Sequence, residues 1–184
     1  MAESKFKEGF GVLIGMGHAF DALVYHPQLS ELTGLVDAFP NAVFVLNHIG
    51  RPLGIGPYAG YRDEIFEVWK KDMTSLAERP NVTVKVGGLG NRVSGFEWDS
   101  QPMPPHSTEL TEKTSPYYLH TIEAFGPKRC MFESNFPVDK NSYSYTAVWN
   151  SFKRMTKDFS DTEKAWLFHD TAAKAYRLPL LSKQ

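Results

Sequence analysis

The run Ala42-Val43-Phe44-Val45-Leu46-Asn47-His48 is apolar over its first five residues and polar only at its end. A short run of this kind, without alternation of apolar and polar side chains, is typical of a strand covered on both faces, as in a parallel sheet. Pro40-Asn41 ends the segment before it, and a Gly/Pro-rich loop begins at Gly50. The run therefore predicts an interior strand of a parallel α/β fold.

Similar apolar runs recur along the chain, and amphipathic stretches separate them. The predicted strands are Phe20–His26, Ala42–His48, Val82–Val86 and Arg129–Asn135. The predicted helices run from about Leu32 to Phe39, Ile65 to Leu76, Pro116 to Phe125 and Tyr145 to Met155. A last helix begins at the capping box Ser160–Glu163. Its spacing directs Ala165, Phe168, Ala172 and Tyr176 inward. The segment Phe6–Met16 fits either a glycine-weakened helix or a fifth strand. Alternating strands and helices predict one α/β domain over residues 1–184 with a parallel sheet.

Composition narrows the classes of protein to consider. A chain of 184 residues suits one compact domain, and 20 Lys+Arg against 21 Asp+Glu argue against a nucleic-acid or anionic-membrane partner. No window approaches the roughly 20 apolar residues that cross a bilayer. The single cysteine, Cys130, cannot form an internal disulfide, so a reducing compartment, the cytoplasm, is expected.

Histidines end two of the predicted strands. The loops after parallel strands gather at one end of the sheet, where such folds place their sites. His26 and His48 at this end could bind zinc or donate to a substrate, and each could equally be a histidine hydrogen-bonded to the backbone. Two histidines make an incomplete site, since catalytic zinc normally has three protein ligands.

Carboxylates and a lysine on the later strands are candidates for proton transfer. Strand alternation places Glu133 and Asn135 on one face, with Lys85 on the same side of the neighbouring strand. We expect Lys85 and Glu133 to meet, either as a lysine that tunes a catalytic carboxylate or as a structural ion pair. Asp139 is a candidate third metal ligand or base, or a solvated loop carboxylate.

Two arginines are candidates for binding the substrate. Arg51 and Arg92 lie on loops at the same end of the sheet and could hold a substrate carboxylate through two parallel hydrogen bonds, or serve only as surface charges. A doubly wound nucleotide-binding module is disfavoured because Gly87-Gly88-Leu89-Gly90 lacks both the following Lys-Ser/Thr and the dinucleotide spacing. No Gly-x-Ser-x-Gly motif marks a serine hydrolase.

Several segments together resemble the amidohydrolase-related (amidohydrolase 2) family of TIM-barrel hydrolases, which includes 2-pyrone-4,6-dicarboxylate lactonase and fuconolactonase. The match runs from about Phe6 to Leu178. The segments that carry it are Phe20-Asp21 through Gln28, Val45 to Gly50, Asn81-Val82 through Lys85-Val86-Gly87-Gly88-Leu89, Arg129 to Asp139, and Leu167-Phe168 through Thr171-Ala172 to Tyr176-Arg177-Leu178.

The resemblance implies an eight-stranded barrel of which these strands look like the fifth to the eighth. A complete barrel takes about 250 residues, so the chain is expected to be half of one, with homodimerisation or a partner chain completing it. Two departures stand out. No His-x-His pair is present, and the family's Gly-Ser-Asp is replaced by Glu133-Ser134-Asn135. Asn135 can hydrogen-bond a substrate but cannot act as the base.

The resemblance also implies an activity. We expect a lactonase-like hydrolase in which water attacks the carbonyl of a small carboxylated lactone or ring-cleavage product. The cofactor is expected to be a divalent metal such as zinc, or none because His-x-His is missing. The alternative is a catalytically silent half-barrel that serves as a scaffold or as a subunit needing a partner chain.

Overall fold

Four parallel strands form one sheet in the order β1-β2-β3-β4 in the computed structural model, which describes residue 1 and residues 3–179. The strands are β1 Ala19–Ala22, β2 Val43–Leu46, β3 Val82–Val86 and β4 Cys130–Phe132. The helices are α1 Ser4–Gly15, α2 Leu29–Ala38, α3 Arg62–Ala77, α4 Ser107–Phe125, α5 Tyr145–Met155, α6 Asp161–Ala165 and α7 Thr171–Ala175, with a π-helical turn Trp166–Asp170 between the last two.

The two faces of the sheet differ in what covers them. Side chains such as Phe44 and Val84 are fully buried in the core that the helices form with the sheet. The opposite face, here called the inner face, carries the side chains aligned by the strand register, Asp21, Val45, Thr83, Lys85 and Met131. The predicted facing of β3, with Val82, Val84 and Val86 toward the helices, is confirmed.

The first and last strands are shorter than their apolar runs. The run predicted as Phe20–His26 forms β1 only to Ala22, and His26 opens a short 3₁₀ turn. Pro27 lies in that turn, and its fixed φ and missing N–H favour a turn at this point over a continued strand. The predicted strand Arg129–Asn135 likewise ends at Phe132, which leaves Glu133 and Asn135 in the loop beyond β4.

The segment Phe6–Met16, which fitted either a helix or a strand, forms most of the helix α1. Phe10 of α1 is buried, and its ring lies 4.9 Å from that of Phe20, 4.8 Å from that of Phe39 and 5.4 Å from that of Phe44. An isolated helix with glycines is marginal in water, so these contacts supply most of its stability.

The last helix differs from the prediction in its buried face. Ser160 and Glu163 form the expected capping box. The buried residues, however, are Leu167, Thr171 and Ala173. Of the residues predicted to point inward, Phe168 packs half-buried against the core, Ala172 and Tyr176 are half-buried, and Ala165 is exposed. The π-helical turn Trp166–Asp170 explains the change, because its wider turn rotates the residues that follow relative to a regular α-helix.

Within residues 1 and 3–179, each edge strand of the sheet has a strand neighbour on one side only. β1 pairs only with β2 and β4 only with β3. The predicted fold class, a partial parallel barrel with helices outside, is confirmed. No helix among these residues is long and apolar enough to cross a bilayer.

Candidate active site

His48 is presented by a strained turn at the carboxyl end of β2. His48, Ile49 and Arg51 have φ of 54°, 51° and 38°, a left-handed conformation that costs roughly 1–2 kcal/mol per residue outside glycine. The turn is held by a hydrogen bond of 2.7 Å from the indole Nε1 of Trp69 to the carbonyl of Ile49. Such strain persists only where its surroundings impose it, and it is a feature of functional sites.

Glycines after β3 make room for the His48 ring. A Cβ on Gly88 would lie 2.5 Å from Nδ1 of His48, and Gly88 has a φ of 78°. A Cβ on Gly87 would overlap the backbone carbonyl of Glu133. The end of β3 therefore carries no side chain between His48 and Glu133, although β3 lies between β2 and β4 in the sheet.

His48 and Glu133 meet across this gap. Nδ1 of His48 is hydrogen-bonded to Oε1 of Glu133, and both side chains are largely buried. A carboxylate only accepts, so Nδ1 carries the shared proton and Nε2 is left as an acceptor when the ring is neutral. The pair is an imidazole oriented by a carboxylate, an arrangement that suits general acid–base chemistry.

Asp139 lies beside this pair in a buried polar cluster. Its side chain is 1% exposed and accepts hydrogen bonds from Nδ2 of Asn135 at 2.7 Å, the hydroxyl of Tyr143 at 2.8 Å and the N–H of Gly90 at 3.1 Å. Burial raises the pKa of Asp139, while the hydrogen bonds from Tyr143 and Asn135 and the charge of His48 oppose that rise. Asp139 is thus not a solvated loop carboxylate.

The predicted pairing of Lys85 with Glu133 is wrong. Lys85 forms an ion pair of 2.8 Å with Asp21 on the inner face, and its ammonium lies 5.4 Å from the ring centre of Tyr176. Burial lowers the pKa of Lys85, but hydrogen bonds to Asp21 and Tyr176 more than offset this and the net shift is upward. Lys85 sits inside β3, whereas Glu133 lies beyond the end of β4 and turns toward His48.

His26 is separated from this cluster by its own contacts. Its Nδ1 accepts the N–H of Leu53 at 3.2 Å, and its ring packs edge-on against Tyr58. Burial lowers the pKa of His26 and outweighs the opposing charge of Asp72. This geometry matches the backbone-bonded alternative, with the neutral ring as acceptor.

The two arginines differ in their surroundings. Arg92 is largely exposed, with its nearest carboxylate, Asp99, at 4.0 Å. Arg51 belongs to the strained turn, its guanidinium lies 5.9 Å from the ring centre of Tyr25, and its Nε is buried without a hydrogen-bond partner. A buried donor left unpaired is rare in a folded protein and suggests a missing acceptor.

The described residues do not fit a metal centre. Among residues 1 and 3–179, no three His, Cys, Asp or Glu side chains are grouped so that they could hold an ion. Nδ1 of His26 accepts from the N–H of Leu53, and Nδ1 of His48 is bonded to Glu133, so each ring has only Nε2 left as a ligand atom.

Comparison with known proteins supplies the family. The model of the family described as "Amidohydrolase" matches residues 3–178, nearly the whole chain. The chain belongs to the amidohydrolase family. A solved amidohydrolase from Burkholderia multivorans with bound zinc is 27% identical and superposes with a TM-score of 0.81, over 96% of this chain and 58% of that one.

Two curated relatives of this chain extend the comparison. An uncharacterised protein, y4mH, of Sinorhizobium fredii is 40% identical over 95% of this chain and 52% of its own length. The L-fucono-1,5-lactonase of Burkholderia multivorans is 26% identical over 96% of this chain and 57% of its own length. The chain thus spans about half the length of the curated relatives it matches.

Proposed function

We propose that this amidohydrolase chain carries the proton-transfer residues of a hydrolase that opens a small carboxylated lactone. The observation behind the proposal is the hydrogen-bonded pair of His48 and Glu133 at the carboxyl ends of the strands. The names of two relatives, L-fucono-1,5-lactonase and L-rhamnono-gamma-lactonase, support a lactone as the substrate.

The chemistry follows from the free nitrogen of His48. Nε2 of the neutral ring accepts a proton from a water molecule, and the water oxygen bonds to the lactone carbonyl carbon. The C–O bond of the lactone ring then breaks, and the imidazolium of His48 returns its proton to the lactone oxygen that leaves. One water is consumed and a hydroxy acid is released. Glu133 orients the ring through Nδ1 and stabilises the imidazolium between these steps.

Asp139 and Arg51 take supporting roles in this proposal. Asp139 lies close enough to His48 for the two charges to interact. The unpaired Nε of Arg51 supplies a donor for a substrate carboxylate at the same end of the sheet. Asn135 directs its amide N–H₂ to Asp139, so its carbonyl oxygen is the group we propose for the substrate. Lys85 is given a structural role, and Arg92 a solvent-exposed one.

A second candidate function is a half-barrel without catalysis of its own. Its supporting observation is length, since the chain covers 52% of y4mH and 58% of the solved zinc-bound amidohydrolase. On this proposal the half-barrel serves assembly, and turnover requires groups from a partner. The buried and free Cys130 fits a reducing compartment such as the cytoplasm under either proposal.

Proton release on lactone opening separates the two candidates. The purified chain is incubated with L-fucono-1,5-lactone, L-rhamnono-gamma-lactone and 2-pyrone-4,6-dicarboxylate, with and without added zinc, and acid production is followed at constant pH. Saturable hydrolysis that is lost in His48→Gln and kept in the exposed-site control His106→Gln supports the proposed hydrolase. Rates equal to the uncatalysed rate on every lactone favour the silent half-barrel.

A further inference from the structure

The loop after β3 is attached to the turn after β4 through both backbone groups of Gly90. The N–H of Gly90 donates to the carboxylate of Asp139 at 3.1 Å, and the carbonyl of Gly90 accepts the hydroxyl of Ser142 at 2.5 Å. Asp139 and Ser142 belong to one tight turn, because the N–H of Ser142 donates to the backbone carbonyl of Asp139 at 3.0 Å. A single turn therefore holds Gly90 at its donor and at its acceptor.

This attachment is shielded from water. Ser142 is 2% exposed, and Asp139 and Gly90 are buried as well. The ring of Tyr143 covers Gly90 so closely that a Cβ on this glycine would lie 2.5 Å from it. A hydrogen bond in such surroundings is stronger than one in water, and loss of the Ser142 hydroxyl would leave the buried carbonyl of Gly90 without this donor.

The attached loop forms the wall beside the imidazole of His48. Gly88, two residues before Gly90, lies so close to His48 that a Cβ on it would meet the ring. Two other hydrogen bonds of this loop, from the N–H of Leu89 to the hydroxyl of Tyr118 and from the N–H of Asn91 to the carbonyl of Gly88, are each 3.4 Å long. Both are longer than the two bonds of Gly90, so the turn after β4 has the tighter hold on the loop.

We propose that Ser142 is a positioning residue, which fixes the loop after β3 so that Gly88 keeps the His48 ring in its hydrogen bond with Glu133. The hydroxyl of Ser142 donates to Gly90, so Ser142 acts on the imidazole through the backbone of the loop. The inference rests on the proposed function, because it assigns Ser142 to the same proton-transfer site. Small displacements of a catalytic group cost rate steeply, which gives a contact of this kind a measurable effect.

Removal of one hydroxyl tests this role by kinetics. Ser142→Ala should lower kcat on a hydrolysed lactone about tenfold and leave KM nearly unchanged, because the groups proposed to bind the substrate are not altered. Ser151→Ala is the matched control, since Ser151 is also 2% exposed and its hydroxyl also donates to a backbone carbonyl, that of Val148 on α5 at 2.7 Å. The control should lose a similar amount of stability in urea and keep its kcat. An unchanged kcat in Ser142→Ala, or an equal loss in both variants, overturns the proposal.

Nuclear magnetic resonance of isotope-labelled histidine tests the positioning role separately from the hydrolase activity. The ring signals of His48 are identified by their loss in His48→Gln. Ser142→Ala should shift or broaden these signals, and Ser151→Ala should leave them in place. Gly90→Ala, whose Cβ would press on the ring of Tyr143, should shift them too and is the second variant if Ser142→Ala fails to fold.

The two measurements together distinguish the possible failures. Shifted His48 signals in Ser142→Ala, with no lactone hydrolysis by the unmodified protein, would support the positioning of the ring and reject the proposed hydrolase. His48 signals that do not change in Ser142→Ala would overturn the positioning role whatever the activity of the unmodified protein.

Discussion

Nδ1 of His48 is hydrogen-bonded to Oε1 of Glu133 although β2 and β4 are separated by β3. The contact is possible because β3 ends in Gly87-Gly88, which places no side chain between the two groups. The left-handed turn after β2 then carries the imidazole over the end of β3. The site is thus built from backbone conformations as much as from its acid–base residues.

Loss of either partner of the pair should lower catalysis without unfolding the chain. We expect His48→Gln to reduce kcat on a hydrolysed lactone by about 10²–10⁴-fold, the usual contribution of general acid–base catalysis. Glu133→Gln should give a smaller loss, because the ring keeps Nε2 but loses its orienting anion. Steady-state kinetics with both variants measure this order. A Glu133→Gln enzyme as fast as the unmodified one would contradict the assigned role.

Addition of one methyl group at Gly88 should disrupt the site. The new Cβ would meet the His48 ring and would also occupy a φ of 78°, so Gly88→Ala should lower the free energy of unfolding by about 1–3 kcal/mol. Gly34→Ala in α2 is the control, because its Cβ meets nothing within 4 Å and alanine favours a helix by roughly 0.5–1 kcal/mol. Urea denaturation measures the change in the free energy of unfolding, which is expected to be a decrease for Gly88→Ala and an increase for Gly34→Ala. A neutral Gly88→Ala would mean that His48 can lie elsewhere.

The indole of Trp69 should stabilise the strained turn through its N–H. Trp69→Phe leaves the carbonyl of Ile49 without its donor in a buried position, which should cost about 1–3 kcal/mol. Trp149→Phe is a close control, because the Nε1 of Trp149 is buried without a partner and its removal breaks no hydrogen bond. Thermal and urea unfolding of both variants give the comparison. Equal losses would show that ring packing, not the hydrogen bond, matters.

The burial of Asp139 should make stability depend on pH, and the hydroxyl of Tyr143 should weaken that dependence. Burial raises the pKa of Asp139 above its ordinary value of 3.8, so the folded state holds a proton more readily than the unfolded state. The free energy of unfolding therefore falls as pH rises from about 4 through that raised pKa. The Tyr143 hydroxyl opposes this fall by donating to the carboxylate.

Tyr143→Phe should enlarge the pH-dependent loss. We expect a decrease of about 1–3 kcal/mol in the free energy of unfolding at pH 7 and a smaller decrease at pH 4, where the raised pKa keeps more of the folded carboxyl protonated than at pH 7. Tyr145→Phe, at an exposed position on α5, is the control. Urea titrations at several pH values provide the measurement. Equal losses at pH 4 and pH 7 would show that Tyr143 does not act on the ionised form.

Local sequence patterns predicted much of the secondary structure because short-range physics governs it. Val82–Val86 forms a strand with the predicted facing, and Ser160 and Glu163 form the predicted capping box. Sequence patterns gave the wrong bounds where the start of a helix depended on packing against other parts of the chain. The helix α4 begins at Ser107 rather than near Pro116, because Leu110 and Thr114 are buried in the same packed face as Tyr117.

The candidate site was predicted in its residues but not in its pairings. His48 and Asn135 lie at the carboxyl end of the sheet as expected, whereas Glu133, expected inside the last strand, lies in the loop beyond it. The partner of Glu133 was missed, and Tyr143 was not considered. Gly87-Gly88 could have indicated the pairing of His48 with Glu133. Two glycines at the end of an interior strand carry no side chains, so residues of the loops on either side can come into contact.

The sequence by itself determined the class of fold, the four parallel strands and the end of the sheet where the polar side chains collect. These follow from side-chain periodicity, which is a property of consecutive residues. Only the tertiary structure decided that Lys85 binds Asp21 and that Glu133 binds His48. Which residues pair depends on the dihedral angles of the turn after β2 and on where each strand ends. Contacts with residues far along the chain, such as Trp69, impose these features.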